Sequence, residues 1–106
     1  MNIIAVTSCP SGVAHTYMAA EAIEKACKKA GHNIKVETQG SIGIENKLLK
    51  DDVRKADYVV LTKDVNISGE DRFVGKVIVR IGVSEAIKKA AAIVAKLEQH
   101  YASIKK

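Results

Sequence analysis

The run NIIAVTSCPSGVAHTYMAA, residues 2–20, changes backbone geometry midway. Its first part, NIIAVT at 2–7, is apolar and β-branched, as strands buried on both faces are. Pro10 has no backbone donor and biases Cys9 toward an extended conformation, which ends the strand sharply. Gly12 can adopt a conformation closed to most side chains, and from Val13 onward the apolar residues fall at helical spacing. A buried strand that passes through a tight loop straight into a helix is the opening of a parallel βαβ unit.

Outward from that junction the alternation continues. From Val13 to Ala30 an apolar stripe of Ala19, Ala22, Ile23, Ala26, Cys27 and Ala30 faces away from Glu21, Glu24, Lys25, Lys28 and Lys29. Glu21 with Lys25, and Glu24 with Lys28, are spaced for i,i+4 pairing, and Gly31 suits the helix stop. NIKVET at 33–38, YVVLT at 58–62 and KVIVR at 76–80 supply three more strands. A shorter helix over Glu45–Lys55 carries Leu48, Leu49 and Val53 and is expected to break near Asp51 and Asp52. The stretch KDVNISGEDRFVGK, 63–76, is turn-rich with room for one helical turn. Ser84 is placed to cap a last helix whose buried stripe is Ile87, Ala90, Val94, Leu97, Tyr101 and Ile104.

This order, βαβαβ, an irregular segment, then βα, predicts an α/β fold. We expect a single domain over 1–106 built on an open parallel four-stranded sheet, spatial order 2-1-3-4, with helices on both faces. The first strand is then interior, and the loop after it lies at a topological switch point, where open α/β sheets bind ligands. That loop is CPSGVAHT.

Composition narrows the possibilities. A chain of 106 residues with 47% hydrophobic residues can bury one core without disulfide staples. Cys9 and Cys27 form no CxxC pair, which argues against a disulfide framework, a thioredoxin-type redox site or a thiolate zinc site. On the first helix Cys27 lies several turns from Cys9, beyond the roughly 7 Å between Cα atoms that a bridge spans. His15, His32 and His100 are scattered, so no metal is expected, and no cofactor is called for. Cys27 reads as core; His32 and His100 read as surface residues. No run approaches the roughly 20 apolar residues of a membrane span, and MNIIAVTSCP at 1–10 lacks the basic start and long apolar centre of a signal peptide. A cytoplasmic protein without membrane insertion of its own is the expectation. The net charge of +5 is dispersed along the chain, which fits a solvated surface or a positive field that attracts phosphorylated partners. One Phe and three Tyr offer no platform for stacking nucleic-acid bases.

The loop has its own chemistry. If the helix begins just after Gly12, the amides of Ser11, Gly12, Val13, Ala14, His15 and Thr16 can point toward the Cys9 sulfur and, with the helix N-terminus, form an anion cradle. Such donors stabilise a thiolate, which is a nucleophile and a place to hold a phosphoryl group. Ser11 and Thr16 add hydroxyls, and His15 a ring donor or a charge. The same letters also fit a core cysteine beside an ordinary Ser-Gly turn. TQG at 38–40 comes at the end of the second strand and TKD at 62–64 at the end of the third, so Gln39, Gly40 and Asp64 should share a rim with Cys9, as supports, docking contacts or plain loop residues. Arg72 has two readings, a phosphate contact or a partner of Glu70 or Asp71.

CPSGVAHT at 9–16, VETQGSIGIEN at 36–46 and EDRFVGK at 70–76 together closely resemble the enzyme IIB component of the fructose family of the bacterial phosphoenolpyruvate-dependent sugar phosphotransferase system, and the similarity runs over nearly the whole chain. The resemblance implies a phosphoryl relay. The cysteine matching Cys9 accepts phosphate from a phosphohistidine on enzyme IIA and passes it to a sugar, fructose or fructose-like, bound by the membrane-embedded enzyme IIC. The chain would then be a cytosolic phosphotransferase that meets the inner face of the membrane through IIC. Many relatives carry threonine where this chain has Ser11, and the hydroxyl survives the change. The sequence carries no IIA or membrane segment, which fits a separately encoded subunit.

Two rival readings remain. His15 and Thr16 occupy the places of arginine and serine in the C-x5-R-S loop of low-molecular-weight tyrosine phosphatases, but histidine cannot supply the bidentate guanidinium fork that stabilises a transferring phosphoryl group. A non-catalytic anion-binding module, with Cys9 merely packed beside the loop, is the other.

Overall fold

The computed structural model describes residues 1–8, 13–40 and 43–104. In chain order the elements are β1 (Asn2–Thr7), α1 (Val13–Lys29), β2 (Asn33–Gly40), β3 (Gly43–Glu45), α2 (Lys50–Lys55), β4 (Tyr58–Thr62), a 3₁₀ turn (Glu70–Phe73), β5 (Ile78–Ile81) and α3 (Val83–Ile104). They form one five-stranded sheet in the order β3-β2-β1-β4-β5.

The four strands read from the sequence are present, parallel, and in the spatial order expected of them. The four-stranded, all-parallel description is nevertheless corrected, because β3 pairs antiparallel with the end of β2 and makes the sheet mixed. Three residues, all exposed, leave too short a run to show a period of two. The last of them, Glu45, is where the sequence reading began a helix. That helix forms only over Lys50–Lys55, and Asp51 and Asp52 do not break it. They occupy its first turn, where the helix dipole favours negative charge, and the Asp52 carboxylate accepts the Leu49 N–H at 2.8 Å.

α1 matches its pattern closely, except that it ends at Lys29 and Ala30, placed on the buried stripe, is exposed. Glu21–Lys25 and Glu24–Lys28 pair at 2.9 and 2.7 Å. At its end Gly31 takes φ +85°, so the Gly31 N–H reaches the Lys28 carbonyl and the His32 N–H the Cys27 carbonyl, the paired bonds of a Schellman stop. α3 differs at its start. It begins one residue before Ser84, and the acceptor for the Val83 N–H is Asp64 Oδ1, from across the loop, at 2.8 Å. Ala90, Val94 and Leu97 are buried as expected and are joined by Val83 and Ala86; Ile104 is exposed.

Two apolar layers share the sheet. α1 and α3 cover one face over Ile3, Ala5, Val36, Tyr58, Val60 and Ile81. On the other face α2 and the 3₁₀ turn bring Val53 and Phe73 onto Ile4, Val6, Val59 and Leu61. Both faces are thus covered, which explains why β1 and β4 read as continuous apolar runs rather than alternating ones.

Candidate functional site

Three parallel strands carry a buried threonine at their carboxyl ends: Thr7 on β1, Thr38 on β2 and Thr62 on β4. Two of the hydroxyls fasten the carboxyl end of β1. Thr7 Oγ1 donates to the Thr16 carbonyl in the first turn of α1 at 3.0 Å. Thr62 Oγ1 accepts the Ser8 N–H at 2.9 Å and donates to the Ser8 carbonyl at 3.1 Å. The residue just past the strand and the first turn of the helix are therefore held in place, and the connection between them starts and finishes at fixed points. Cys9, Ser11 and Gly12, expected to form the nucleophile and part of its cradle, lie outside the described residues.

On the helix side of that connection, Val13 opens α1, and Ala14 and His15 are exposed in its first turn. No acidic residue in that turn offsets the positive end of the helix dipole. Thr16 is 1% exposed, and its Oγ1 has no hydrogen-bond partner among the described residues. Leaving a buried hydroxyl unpaired costs about 1–3 kcal/mol, so its placement beside the helix N-terminus calls for an explanation. Thr38 Oγ1 is unpartnered in the same sense and lines a cleft between α1 and β2 with Tyr17 and Asn46.

The rim residues take separate roles. Gln39 bridges β2 to the loop before the 3₁₀ turn: its Nε2 donates to Ser68 O and to Glu37 Oε2, and its Oε1 accepts the Ser68 N–H at 2.9 Å. Gly40 is the last residue of β2 and pairs with Gly43. Asp64 is committed to the start of α3.

Arg72 pairs with neither Glu70 nor Asp71. Its guanidinium makes a two-pronged contact with Glu37, Nη1 to Oε1 at 2.8 Å and Nη2 to Oε2 at 2.7 Å, while Glu70 pairs with Arg80 instead. The Glu37 side chain is fully buried. Burial by itself raises its carboxyl pKa, but hydrogen bonds from Arg72, Gln39 and the Leu48 amide, with the Arg72 charge, outweigh this and hold it below the ordinary value. Sequence reading missed Glu37 altogether. A lone glutamate amid VET, in a strand that must be covered by an apolar layer, was the available signal, and its partner lies 35 residues away.

Cys27 is 1% exposed in the layer beneath α1. Burial pushes its thiol up to about 11; the Glu98 carboxylate adds to the rise and the N-terminal amine opposes it. His32 is not the surface residue expected. Its side chain is 11% exposed and lies between the Met1 amine, 3.2 Å from Nδ1, and Glu98, 3.1 Å from Nε2. His100 is exposed, with Nδ1 2.6 Å from the Tyr58 hydroxyl. No described helix is long and apolar enough to cross a membrane.

The chain matches the family model described as PTS system, Lactose/Cellobiose specific IIB subunit, over residues 4–96. It is 63% identical over 101 residues to the PTS system fructose-like EIIB component 2 of Escherichia coli (strain K12), covering 95% of each chain. It is 48% identical over 99 residues to the fructose-like PTS system EIIBC component of the same strain, covering 92% of this chain and 20% of that one. The solution structure of an enzyme IIB subunit of the PTS system from Escherichia coli K12 superposes with a TM-score of 0.93 at 38% identity, over 99% of this chain and 97% of that one.

Proposed function

The chain belongs to the IIB family of the phosphoenolpyruvate-dependent sugar phosphotransferase system, on its fructose-like branch, and from that premise we propose that it carries a phosphoryl group on Cys9 between enzyme IIA and a sugar held by enzyme IIC. In loading, the Cys9 thiolate attacks the phosphorus of a phosphohistidine on IIA. A P–S bond forms, the P–N bond breaks, and its electron pair returns to the imidazole nitrogen. In unloading, a hydroxyl oxygen of fructose or a fructose-like sugar attacks the same phosphorus, a P–O bond forms, the P–S bond breaks with its electron pair returning to sulfur as thiolate, and the hydroxyl proton passes to water. The EIIBC relative, in which one chain carries both components by name, supports the step toward IIC.

The protein's part is to hold charge. The N–H groups of Val13 and Ala14, at the start of α1, would face the phosphoryl oxygens, with Ser11, Gly12, His15 and Thr16 completing the cradle. Donors fixed before the reaction need no reorganisation as charge moves through the transition state. Gln39, Gly40 and Asp64 serve this reading as supports, through the contacts that fasten β2 and α3 at the same end of the sheet.

The observation that carries the proposal is the Thr16 hydroxyl, buried and without a partner among the described residues at the helix start. A donor kept at that cost makes sense if an anion completes its bonding. Incubation with phosphoenolpyruvate, enzyme I, the histidine phosphocarrier and a matching IIA should add one phosphoryl group to the intact mass. Cys9→Ser should abolish the gain and Cys27→Ser retain it. Label that persists in a folded Cys9→Ser variant overturns the assignment.

A further inference from the structure

β5 is the last strand on its side of the sheet, so among the described residues its outer row of backbone N–H and C=O groups faces no strand. Proteins usually blunt such an edge with proline, a bulge, exposed charge or a covering element. In β5, IVRI, there is no proline, and Arg80, its one charge, is drawn into an ion pair with Glu70. On the α1/α3 side the edge is left open. A cleft of about 380 Å³ runs between β5 and α3, lined by Val77, Val79 and Ile93, with Glu85 at one end and Lys96 and His100 at the other. Val77 is 46% exposed and Val74, three residues earlier, 84% exposed.

The placement of charge identifies what fits. α3 leaves the carboxyl end of β5 and runs back along it, so Glu85, in its first turn, lies beside Ile81, while Lys96 lines the same cleft further along the helix, past a kink at Lys89. Glu85 Oε1 accepts the Gly82 N–H at 3.3 Å and has Lys63 at 4.0 Å, and Lys96 makes no ion pair among the described residues. Now let a second copy approach with β5 antiparallel, related by a two-fold axis that stands perpendicular to the sheet, midway between the two β5 strands and level with their centres. The Ile81 end of each copy then lies beside the Val77 end of the other. Glu85 of each comes opposite Lys96 of the other, and Val79 and Ile93 of each close the other's cleft. A parallel approach would set like charge against like. The groove is complementary to itself under the one symmetry that a closed pair requires.

We propose that this chain self-associates through β5, joining two five-stranded sheets into one continuous sheet with the two α3 helices side by side. The interface rests on a four-residue strand and one helix face, so the pair is reversible and depends on concentration. It leaves β1, two strands inward, untouched, so the Cys9 end of the sheet stays open to partners.

Sedimentation velocity on the full chain, from low micromolar to near-millimolar concentration, tests this. The mass should rise from the 11.4 kDa monomer toward its double, and added salt should weaken the rise. Val79→Asp should abolish association; Val77→Asp, at a more exposed position, is the second variant in case the first disturbs the strand, with circular dichroism confirming each fold. Glu85→Lys and Lys96→Glu should each weaken association by about tenfold, and the double variant, which exchanges the charges, should restore it. A monomer at every concentration, a dimer indifferent to both valine variants, or a double variant no stronger than the singles overturns the proposal.

Discussion

Thr16 and the two cysteines show how much a single residue's surroundings decide. A buried hydroxyl without a partner lowers stability, so replacing it by an isosteric apolar group should help the fold: Thr16→Val should stabilise the protein by about 1 kcal/mol. If the hydroxyl is kept for the phosphoryl group, the same variant should slow the loading of Cys9 by phosphorylated IIA. Urea unfolding and single-turnover phosphorylation on the same preparation check both halves; a variant that is more stable and equally fast would make Thr16 a packing residue. The cysteines give the converse case. Cys27, pushed up to about 11 and buried, has almost no thiolate at neutral pH, so iodoacetamide should modify Cys9 first, as peptide mapping will show. Phosphate or sulfate should protect Cys9 more than chloride at equal ionic strength, because the donors proposed to face the thiolate also bind an oxyanion. Protection no greater than that of chloride would argue against the cradle.

Among the elements, the pairing that fastens β2 to the 3₁₀ turn carries the clearest energetic consequence. Glu37 is buried, and removing Arg72 would strand its charge. Arg72→Leu should cost about 3–5 kcal/mol, and Arg72→Lys should recover only part, since an ammonium cannot reproduce the two-pronged contact. The pH dependence comes from the lowered carboxyl pKa. The charged pair contributes fully above the ordinary glutamate value of 4.5, and the contribution is lost as pH falls through the lower folded-state value. Glu37→Gln should therefore be well below wild type in urea midpoint at neutral pH, with the gap closing in acid; an equal gap at both would show that the charge contributes nothing. The same pairing was beyond the reach of sequence. β1, β4 and α1 were legible because each is long enough to repeat its own period against a covered face. β3 has three exposed residues, α2 less than two turns, and the Glu37–Arg72 contact joins segments with no local signal of each other. The sequence proposes a candidate site for a related reason. Proline, glycine and a helix start concentrate their information in eight consecutive letters, whereas the threonines at the carboxyl end of the sheet are spread over three strands.

At the scale of the whole molecule, the sheet is the common wall of two cores, and neither can be lost without exposing the backs of strands that serve the other. Ile3 and Ala5 of β1 face the α1/α3 layer, while Ile4 and Val6 of the same strand face α2 and the 3₁₀ turn. Such a structure should unfold as one unit. Phe73 tests this, because it is fully buried yet belongs to the thinner layer, on the far side of the sheet from α1. Phe73→Ala should cost about 3–5 kcal/mol, a large share of the roughly 5–15 kcal/mol typical of a domain. The loss should appear as a lower urea midpoint with an unchanged slope. The chain has no tryptophan and three tyrosines, of which Tyr58 is 1% exposed and Tyr101 packs against the same layer, so tyrosine fluorescence reports largely on the α1/α3 side. Far-ultraviolet circular dichroism reports on every element. In Phe73→Ala the two transitions should move down together and stay coincident, because the strands that Phe73 covers are the strands Tyr58 needs. If circular dichroism falls early while tyrosine fluorescence keeps its wild-type midpoint, the two layers melt separately, and the thinner one is a loosely attached cover rather than half of a single core.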